Sequence, residues 1–531
     1  MPHPTETRHA PAPGWQTLER PGGAPPPPTG PSARSAAAAL GWLLLGWALS
    51  ACTALTAYRQ DVPASIPPAD CTAAGAPTTA PQAPPCTTQA TERNALYTLH
   101  VVEFDDQGWP FDIAGAPRSQ TDSAIAQIRA QLLDPRDCVR LFIYVHGWRH
   151  DARTGDSNVQ KFRDFLARVS EASRRAASAG EDACDDPVAA AVPAARRAQS
   201  ASTALRRTPP SPSRIHTVGL YVGWRGLSVE NIVPLVYASF WDRKNTADRV
   251  AQGSVRELFG RLNQLASHVR QADRAAQAGA GPASAQLRTY VIGHSFGALV
   301  VFRALSQSLI DSFSEDLDAA AGDELASVSR FVDMVVLVNP AIEAARFDPV
   351  FKAAHKLARV CEQAAGPAGP CEQPRYQAPV LAIFTSEGDR ATQQAFPLGS
   401  RLSNLFESVV NETQRQAMLN TIGWDEHYRT HTLALVGTCP PEQADPFDPA
   451  SNPLRYRPPG WTWCFTTPAG AMALRHLGGP SAGPGPVYNG PLWNVQVSPA
   501  IIADHNDTWN DRFHALLLHL FSNEQRYPAL P

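Results

Sequence analysis

Apolar residues in this chain fall into short unbroken runs, separated by stretches with helical spacing. Leu141 to Val145, Val218 to Trp224, Thr289 to Ile292, Phe331 to Val338, Pro379 to Phe384 and Leu492 to Val497 are the runs. Such a run marks a parallel strand covered on both faces. Tyr97 to Phe104 alternates loosely and predicts an edge strand. Between the runs, apolar residues recur every three or four positions over Ser123 to Leu133, Asn158 to Ala172, Val255 to about Ala272, Ala298 to Leu309 and Arg512 to Phe521. These predict helices; in the second, Phe162, Phe165, Leu166 and Val169 share a side. Leu227 to Trp241 is too apolar for a bare loop. Strands alternating with helices predict an α/β domain: a mostly parallel central sheet with helices on both faces, wound right-handedly.

Five segments fall outside this pattern. Residues 1 to about 35 are rich in Pro, Ala and Gly and bury no core. Arg34 then precedes an apolar run, Ala36 to Ala51, ending in Leu49-Ser50-Ala51-Cys52. A positive residue, a short apolar core and small residues before a cleavage point describe a secretory signal. The Leu-Ser-Ala-Cys ending resembles the lipobox of bacterial lipoproteins, which implies an acylated Cys52, a signal peptide over 1–51 and a place in the cell envelope. An uncleaved anchor, or an ordinary cleavage site before Cys52, are the competing readings. Residues 52–94 are rich in Ala, Pro and Thr and are expected to be a flexible tether, with the folded domain spanning 95–531. Insertions are expected at about 176–213, which is Ala/Arg/Ser/Pro-rich, and at 391–490, before the last strand. The latter carries an apolar-faced stretch, Leu402 to Met418, and Trp461, Trp463 and Phe465; a lid, an acyl pocket and plain structural cover fit it equally.

A length of 531 residues suits one large domain with insertions, or two domains. The formal net charge of -3 gives no electrostatic case for a nucleic-acid partner. The chain has no internal repeat, P-loop or dinucleotide fingerprint. Besides Cys52 there are eight cysteines, an even number that suits an oxidising compartment. Neighbour pairing would join Cys71 to Cys86, Cys361 to Cys371 and Cys439 to Cys464; free buried thiols are the alternative. None has C-x-x-C spacing, so no zinc or redox site is expected.

The strongest chemical signal is Gly293-His294-Ser295-Phe296-Gly297, set between the run ending at Ile292 and the helical pattern starting at Ala298. A serine on a tight strand-to-helix turn needs glycine two residues before and after it, because a Cβ there would meet neighbouring backbone. The turn lifts the hydroxyl clear of the sheet, and the helix start offers N–H groups to an oxyanion. A Gly-rich loop with an exposed serine is the plainer alternative. A second turn, His146-Gly147-Trp148, ends the run Leu141 to Val145. Gly147 lets the backbone pass close to a substrate.

In parallel sheets, functional groups collect at the carboxyl ends of strands. Four such ends carry His146-Gly147, Ser295, Asp389 and His505. The order Ser, Asp, His and the Gly-His-Ser-Phe-Gly turn resemble the α/β-hydrolase superfamily over roughly residues 95 to 525, and most of all its bacterial esterase- or lipase-like members. That resemblance implies Ser295 as nucleophile, His505 as base, Asp389 as acid, and N–H groups of Phe296, Gly147 or Trp148 as oxyanion donors, with no cofactor. His427 and His431 rival His505; Glu387 and Glu343 rival Asp389. The H-x-x-x-H spacing of His427 and His431 would suit one helix face and a metal, but it is not the H-E-x-x-H arrangement. His514 and His519 lie in the last helix as packing or surface residues. The function expected is a membrane-anchored serine hydrolase cleaving carboxylic esters, with peptidase or thioesterase chemistry as a lesser variant. The alternative is a non-catalytic envelope lipoprotein using the same fold as a binding module.

Overall fold

The structure, a computed structural model, describes residues 57–59, 89–111, 119–178, 214–227, 239–277, 280–282, 284–321, 332–363, 379–403, 407–440, 462–477 and 491–526. The chain divides into two units, Met1–Cys52 and Thr53–Pro531, and every described residue lies in the second. The leader, Cys52, Cys71, Cys86, Cys371, Trp461 and nearly all of the 176–213 insertion lie outside the described residues.

Eleven strands form one sheet: β1 (Thr91–Arg93), β2 (Tyr97–Phe104), β3 (Asp137–Val145), β4 (Arg214–Trp224), β5 (Gln286–His294), β6 (Met334–Val338), β7 (Leu381–Ser386), β8 (His431–Val436), β9 (Thr462–Thr467), β10 (Gly470–His476) and β11 (Leu492–Val497). Their order across the sheet is β1-β2-β4-β3-β5-β6-β7-β11-β8-β10-β9. Every neighbouring pair from β2 to β8 is parallel; β1, β10 and β9 run antiparallel to their partners. The parallel strands therefore present all their carboxyl ends on one rim, where Val145, His294, Val338, Ser386 and Val497 terminate β3, β5, β6, β7 and β11.

Period-two alternation divides the apolar side chains between two cores. From β3, Val139, Leu141, Ile143 and Val145 enter one core, and Phe142 and Tyr144 the other. The first core is covered by α1 (Gln120–Ala130), α3 (Phe240–Gln252), α4 (Ser254–Gln277), α5 (Phe296–Ala321) and α6 (Ala344–Gln363). The second lies under α2 (Ser157–Ser178) and α9 (Asp511–Arg526). There Phe142 meets Phe165 at 5.4 Å between ring centroids, Tyr290 at 5.0 Å and Phe521 at 5.6 Å. Each fully buried ring of this kind stabilises the fold by about 1.5–3 kcal/mol. Two short helices, α7 (Phe396–Ser403) and α8 (Glu412–Leu419), follow β7. Of the apolar Leu227 to Trp241 segment, residues 228–238 lie outside the described residues; Phe240 and Trp241 open α3 and pack against Phe296 and Phe396.

One sequence expectation is corrected. Tyr97 to Phe104 is not the edge strand: β1 pairs outside it and β4 inside it, which explains why its last six residues are buried. The fold takes hold of the chain before Ala95. Arg59 is only 1% exposed and donates Nη1 to Glu92 Oε1 at 2.8 Å, while Glu92 also pairs with Arg163. The main-chain N–H groups of Tyr58 and Arg59 both donate to the Glu103 carboxylate, at 2.9 and 2.8 Å. Among its described residues, the 391–490 insertion contributes α7, α8 and three strands. β8, β10 and β9 extend the sheet, and β11 enters it between β7 and β8. Trp463 and Phe465 of β9 pack on His519 of α9, and a disulfide joins Cys439 to Cys464. Cys138 is disulfide-bonded as well.

Candidate active site

Ser295 sits between β5 and α5 with φ +55°, a left-handed conformation that a side chain rarely adopts. Its N–H donates to Val338 O at 3.0 Å, and its carbonyl accepts from Leu299 and Ala341 N–H. The flanking glycines are there for space. A Cβ on Gly293 would lie 2.7 Å from Ala298 Cα, and one on Gly297 only 2.0 Å from Val145 O and 2.5 Å from His146 O. The turn is thus pressed between its own helix and the end of β3, with no room for a methyl group at either position.

His505, in the loop between β11 and α9, spans the distance between the other two groups. Its Nε2 lies 2.9 Å from Ser295 Oγ and its Nδ1 lies 2.9 Å from Asp389 Oδ1. Asp389 has no exposed side-chain surface, whereas His505 keeps 19% of its own, so the carboxylate is sealed while the ring edge stays reachable. Asp389 also accepts from Ala391 N at 3.0 Å, from Thr392 N at 3.1 Å and from the Thr392 hydroxyl. Burial pushes its pKa up, but the charge of His505 and the hydrogen bonds from His505 and Thr392 outweigh that, and the carboxyl is held below its ordinary value. The ionised Asp389 accepts a hydrogen bond from Nδ1–H of His505, which leaves Nε2 facing the serine hydroxyl.

The loop after β3 closes the other side. A Cβ on Gly147 would stand 2.9 Å from Ser295 Cβ and 3.0 Å from His294 O, so the loop backbone lies directly against the serine. Burial lowers the pKa of His146 to about 4, so the ring is neutral at ordinary pH. Its Nε2 accepts from Trp224 N–H at 3.1 Å, which assigns the proton to Nδ1, where it faces Gly147 O at 2.9 Å. Trp224 Nε1 donates to His146 O at 3.0 Å, and the two rings stack. His146 therefore braces the loop and has no free lone pair for a substrate. Trp148 is half-buried beside Phe240. Phe296 opens α5, where the first N–H groups of a helix lack intrahelical acceptors.

The rival residues lie elsewhere or are already engaged. His427 is exposed in a 3-10 turn, Glu426–Tyr428, and His431 begins β8, so the two share no helix face. His431 is buried between His476 and Trp493, and burial holds its pKa well below the usual value. Glu343 is paired with Lys244 at 2.6 Å and Arg346 at 2.8 Å, and Glu387 is exposed. His514 packs against Phe165 and Trp509, away from the serine. Among the described residues, no cluster of His, Cys, Asp and Glu is arranged to hold a metal ion.

Sequence reasoning missed three supporting residues. Thr392 seats the acid and is itself held by Trp424 Nε1 at 3.1 Å. Ser386 donates Oγ to Ile502 O at 2.6 Å and accepts from Gly388 N, tying the Asp389 loop to the His505 loop. Asn339, at the end of β6, reaches that same loop. The only signal for them was position: each lies at or just beyond the carboxyl end of a parallel strand.

A parallel sheet clad on both faces, with a serine on a glycine-flanked turn in reach of an imidazole and a carboxylate from later strand ends, defines an α/β-hydrolase, and this chain is a member of that superfamily. Residues 282–427, from before the serine turn to beyond the acid, match the model of a family described as alpha/beta hydrolase of unknown function (DUF900). No curated protein and no solved structure matches the chain.

Proposed function

We propose that the protein is a serine hydrolase that cleaves carboxylic esters through an acyl-enzyme on Ser295. The observation that carries this reading is His505, whose two ring nitrogens lie 2.9 Å from Ser295 Oγ and 2.9 Å from Asp389 Oδ1. Ser295 Oγ attacks the acyl carbon while its proton passes to His505 Nε2. Asp389 stabilises the resulting imidazolium. The oxyanion is held by N–H groups of Phe296 and of the Gly147-Trp148 loop, each worth about 3 kcal/mol in the transition state. The tetrahedral intermediate collapses, and the leaving alkoxide takes the proton from Nε2. A water then attacks the acyl-serine, giving its proton to Nε2; the second tetrahedral intermediate collapses, Nε2 returns that proton to Ser295 Oγ, and the acid leaves. The scheme draws on no cofactor.

Membrane attachment belongs to the same proposal: Cys52 carries the lipid and the domain acts in the bacterial cell envelope. The Cys439–Cys464 disulfide supports an oxidising compartment.

Hydrolysis of a p-nitrophenyl ester series of graded acyl length, by the native protein and by Ser295→Ala, tests the reading, together with labelling by a fluorophosphonate probe. Turnover lost in Ser295→Ala and a probe adduct on Ser295 are expected. Equal hydrolysis by both proteins removes Ser295 as nucleophile, and a native protein that takes up no probe favours a binding module on the same fold.

A further inference from the structure

His505 sits in a loop, and a loop must be held if its imidazole is to keep station between two partners from other strands. The loop's main chain is taken up by two side chains from neighbouring strand ends. Asn339 Nδ2 donates to Asp504 O at 3.2 Å and to His505 O at 3.0 Å. His294 Nε2 lies 2.8 Å from the same His505 O. The His505 carbonyl thus has both lone pairs occupied, by donors from β6 and β5.

Asn339 does more than this one job. It is fully buried, with φ +46°. Its Oδ1 accepts from Ser386 N at 2.9 Å and its own N–H donates to Phe384 O at 2.8 Å, both on the acid strand. The preceding residue, Val338, accepts the N–H of Ser295. Nucleophile turn, acid strand and base loop therefore all meet at Val338-Asn339. Asn tolerates left-handed backbone better than other side-chain-bearing residues, and it supplies a donor and an acceptor at once. An Asp of the same shape would aim oxygens at two carbonyls.

His294 is 3% exposed, and burial and the neighbouring His505 push its pKa down to about 3. It is neutral, and the carbonyl opposite Nε2 assigns the ring proton there. Nδ1 is then a buried lone pair with no hydrogen-bond partner. A buried nitrogen left unsatisfied calls for an explanation, and the donation at the other end of the ring provides it.

We infer that Asn339 and His294 form a clamp on the main-chain carbonyl of His505 that sets the distance of the imidazole from Ser295. Both are positioning residues, acting through His505 without touching substrate, and the inference rests on the ester-hydrolase reading of the site. With the peptide plane at 504–505 fixed by two donors and Nδ1 fixed by Asp389, the ring has little freedom left. Misplacing a reacting group by about 1 Å costs on the order of 100-fold in rate.

The test uses the full chain and four variants, Asn339→Asp, Asn339→Ala, His294→Leu and His294→Gln, each checked for folding by thermal melt. The readouts are kcat and KM on the best p-nitrophenyl ester, and the downfield proton NMR resonance of His505 Nδ1–H against Asp389. Asn339→Asp and His294→Leu are expected to lower kcat by roughly 30-fold or more with KM changed less than about 2-fold, and to broaden or abolish the resonance. His294→Gln, which can present an N–H at the same reach, should retain kcat within about 3-fold. Folded Asn339→Asp and His294→Leu proteins with native kcat and an intact resonance overturn the clamp. So does a His294→Gln protein as impaired as His294→Leu. Should Asn339→Asp not fold, Asn339→Ala and the His294 pair decide the matter. The resonance reads geometry whether or not an ester is turned over. A native protein inactive on every ester therefore overturns the reading of function, while the clamp is judged on the resonance alone.

Discussion

Gly147 abuts Ser295 so closely that a Cβ on the glycine would lie 2.9 Å from the serine's own Cβ, and 3.2 Å from His294 Nδ1. The contact couples the loop after β3 to the nucleophile turn. Gly147→Ala must push one away from the other. Because the nearest atoms, a side-chain carbon at 2.9 Å and the carbonyl at the end of β5 at 3.0 Å, need to give only by a few tenths of an ångström, the protein is expected to fold. Ester turnover should drop by about 100-fold, the scale of one displaced oxyanion donor. Gly297→Ala is a different case. Its Cβ would meet Val145 O at 2.0 Å, inside the sheet, so loss of several kcal/mol of stability is expected, read as a lowered Tm. A Gly147→Ala protein with native turnover would show that the loop takes no part in the reaction.

Asp389 is fully buried, and its Oδ1 accepts a hydrogen bond from Nδ1–H of His505. Asp389→Asn keeps the shape but removes the charge that stabilises the imidazolium, and an amide nitrogen in place of Oδ1 would face the Ala391 and Thr392 N–H groups as well as the ring. The imidazole is then free to carry its proton on Nε2, facing Ser295, where it can take none. A fall in kcat of about 10³–10⁴ is expected, with the melting temperature little changed and KM nearly constant. If Glu387 were the true partner, Asp389→Asn would retain most of its activity and Glu387→Gln would lose it; assaying the two side by side separates the cases.

The parts of this site legible in sequence share one property: local pattern carries them. The Leu141 to Val145 run reads as a doubly covered strand because both its faces are apolar, and β3 is buried along its whole length. The glycines around Ser295 are legible because a tight turn leaves a spacing of two. Asp389 and His505 follow from lying just past predicted strands, and they meet Ser295 in space. What stays hidden depends on partners distant in the chain. Arg59 and β1 fall in a stretch whose composition reads as a tether, and they are held by Glu103, Glu92 and Arg163, contacts that no periodicity encodes. β8, β10 and β9 come from a segment interrupted by Pro and Gly, where only pairing with β11 creates a sheet. Asn339 looks like a turn residue before Pro340; its role arises only where three strand ends converge.

The Cys439–Cys464 disulfide closes a loop over a sequence separation of 25 and ties the start of that loop to β9 at the end of the sheet. By loop-closure entropy such a bridge stabilises the fold by about 3 kcal/mol. The double variant Cys439→Ala/Cys464→Ala should therefore unfold at lower denaturant concentration, with amide exchange faster in β9 and β10 than in β3 or β5. Ser295, Asp389 and His505 follow the ends of β5, β7 and β11, so turnover of a soluble ester at 25 °C should change less than about 3-fold. Uniform acceleration of exchange across all strands would contradict the local role assigned to the bridge.

Five buried histidines give the fold a dependence on pH that is separate from catalysis. Burial lowers the pKa of His100, His146 and His514 to about 4, of His294 to about 3, and of His431 well below its ordinary value. In the unfolded chain each takes a proton near pH 6.5. Between those limits the unfolded state binds more protons than the folded one, so stability rises with pH there and is lost on acidification. The limiting slope is about 1.4 kcal/mol per pH unit for each histidine. Below about pH 4 the folded histidines protonate too and their share of the slope flattens. Carboxyls held low in the fold, such as Asp389 and Asp106, then take over, since their stabilisation is lost only as pH falls below the unfolded carboxylate range. His514 isolates the first effect. Neither of its ring nitrogens has a hydrogen-bond partner, and it packs against Phe165 and Trp509. His514→Leu removes one titration and leaves an apolar contact in its place. Urea unfolding at pH 7.5 and pH 5 should show the variant gaining about 1–2 kcal/mol over the native protein on acidification. Parallel stability curves for the two proteins would mean that His514 titrates alike in the folded and unfolded states.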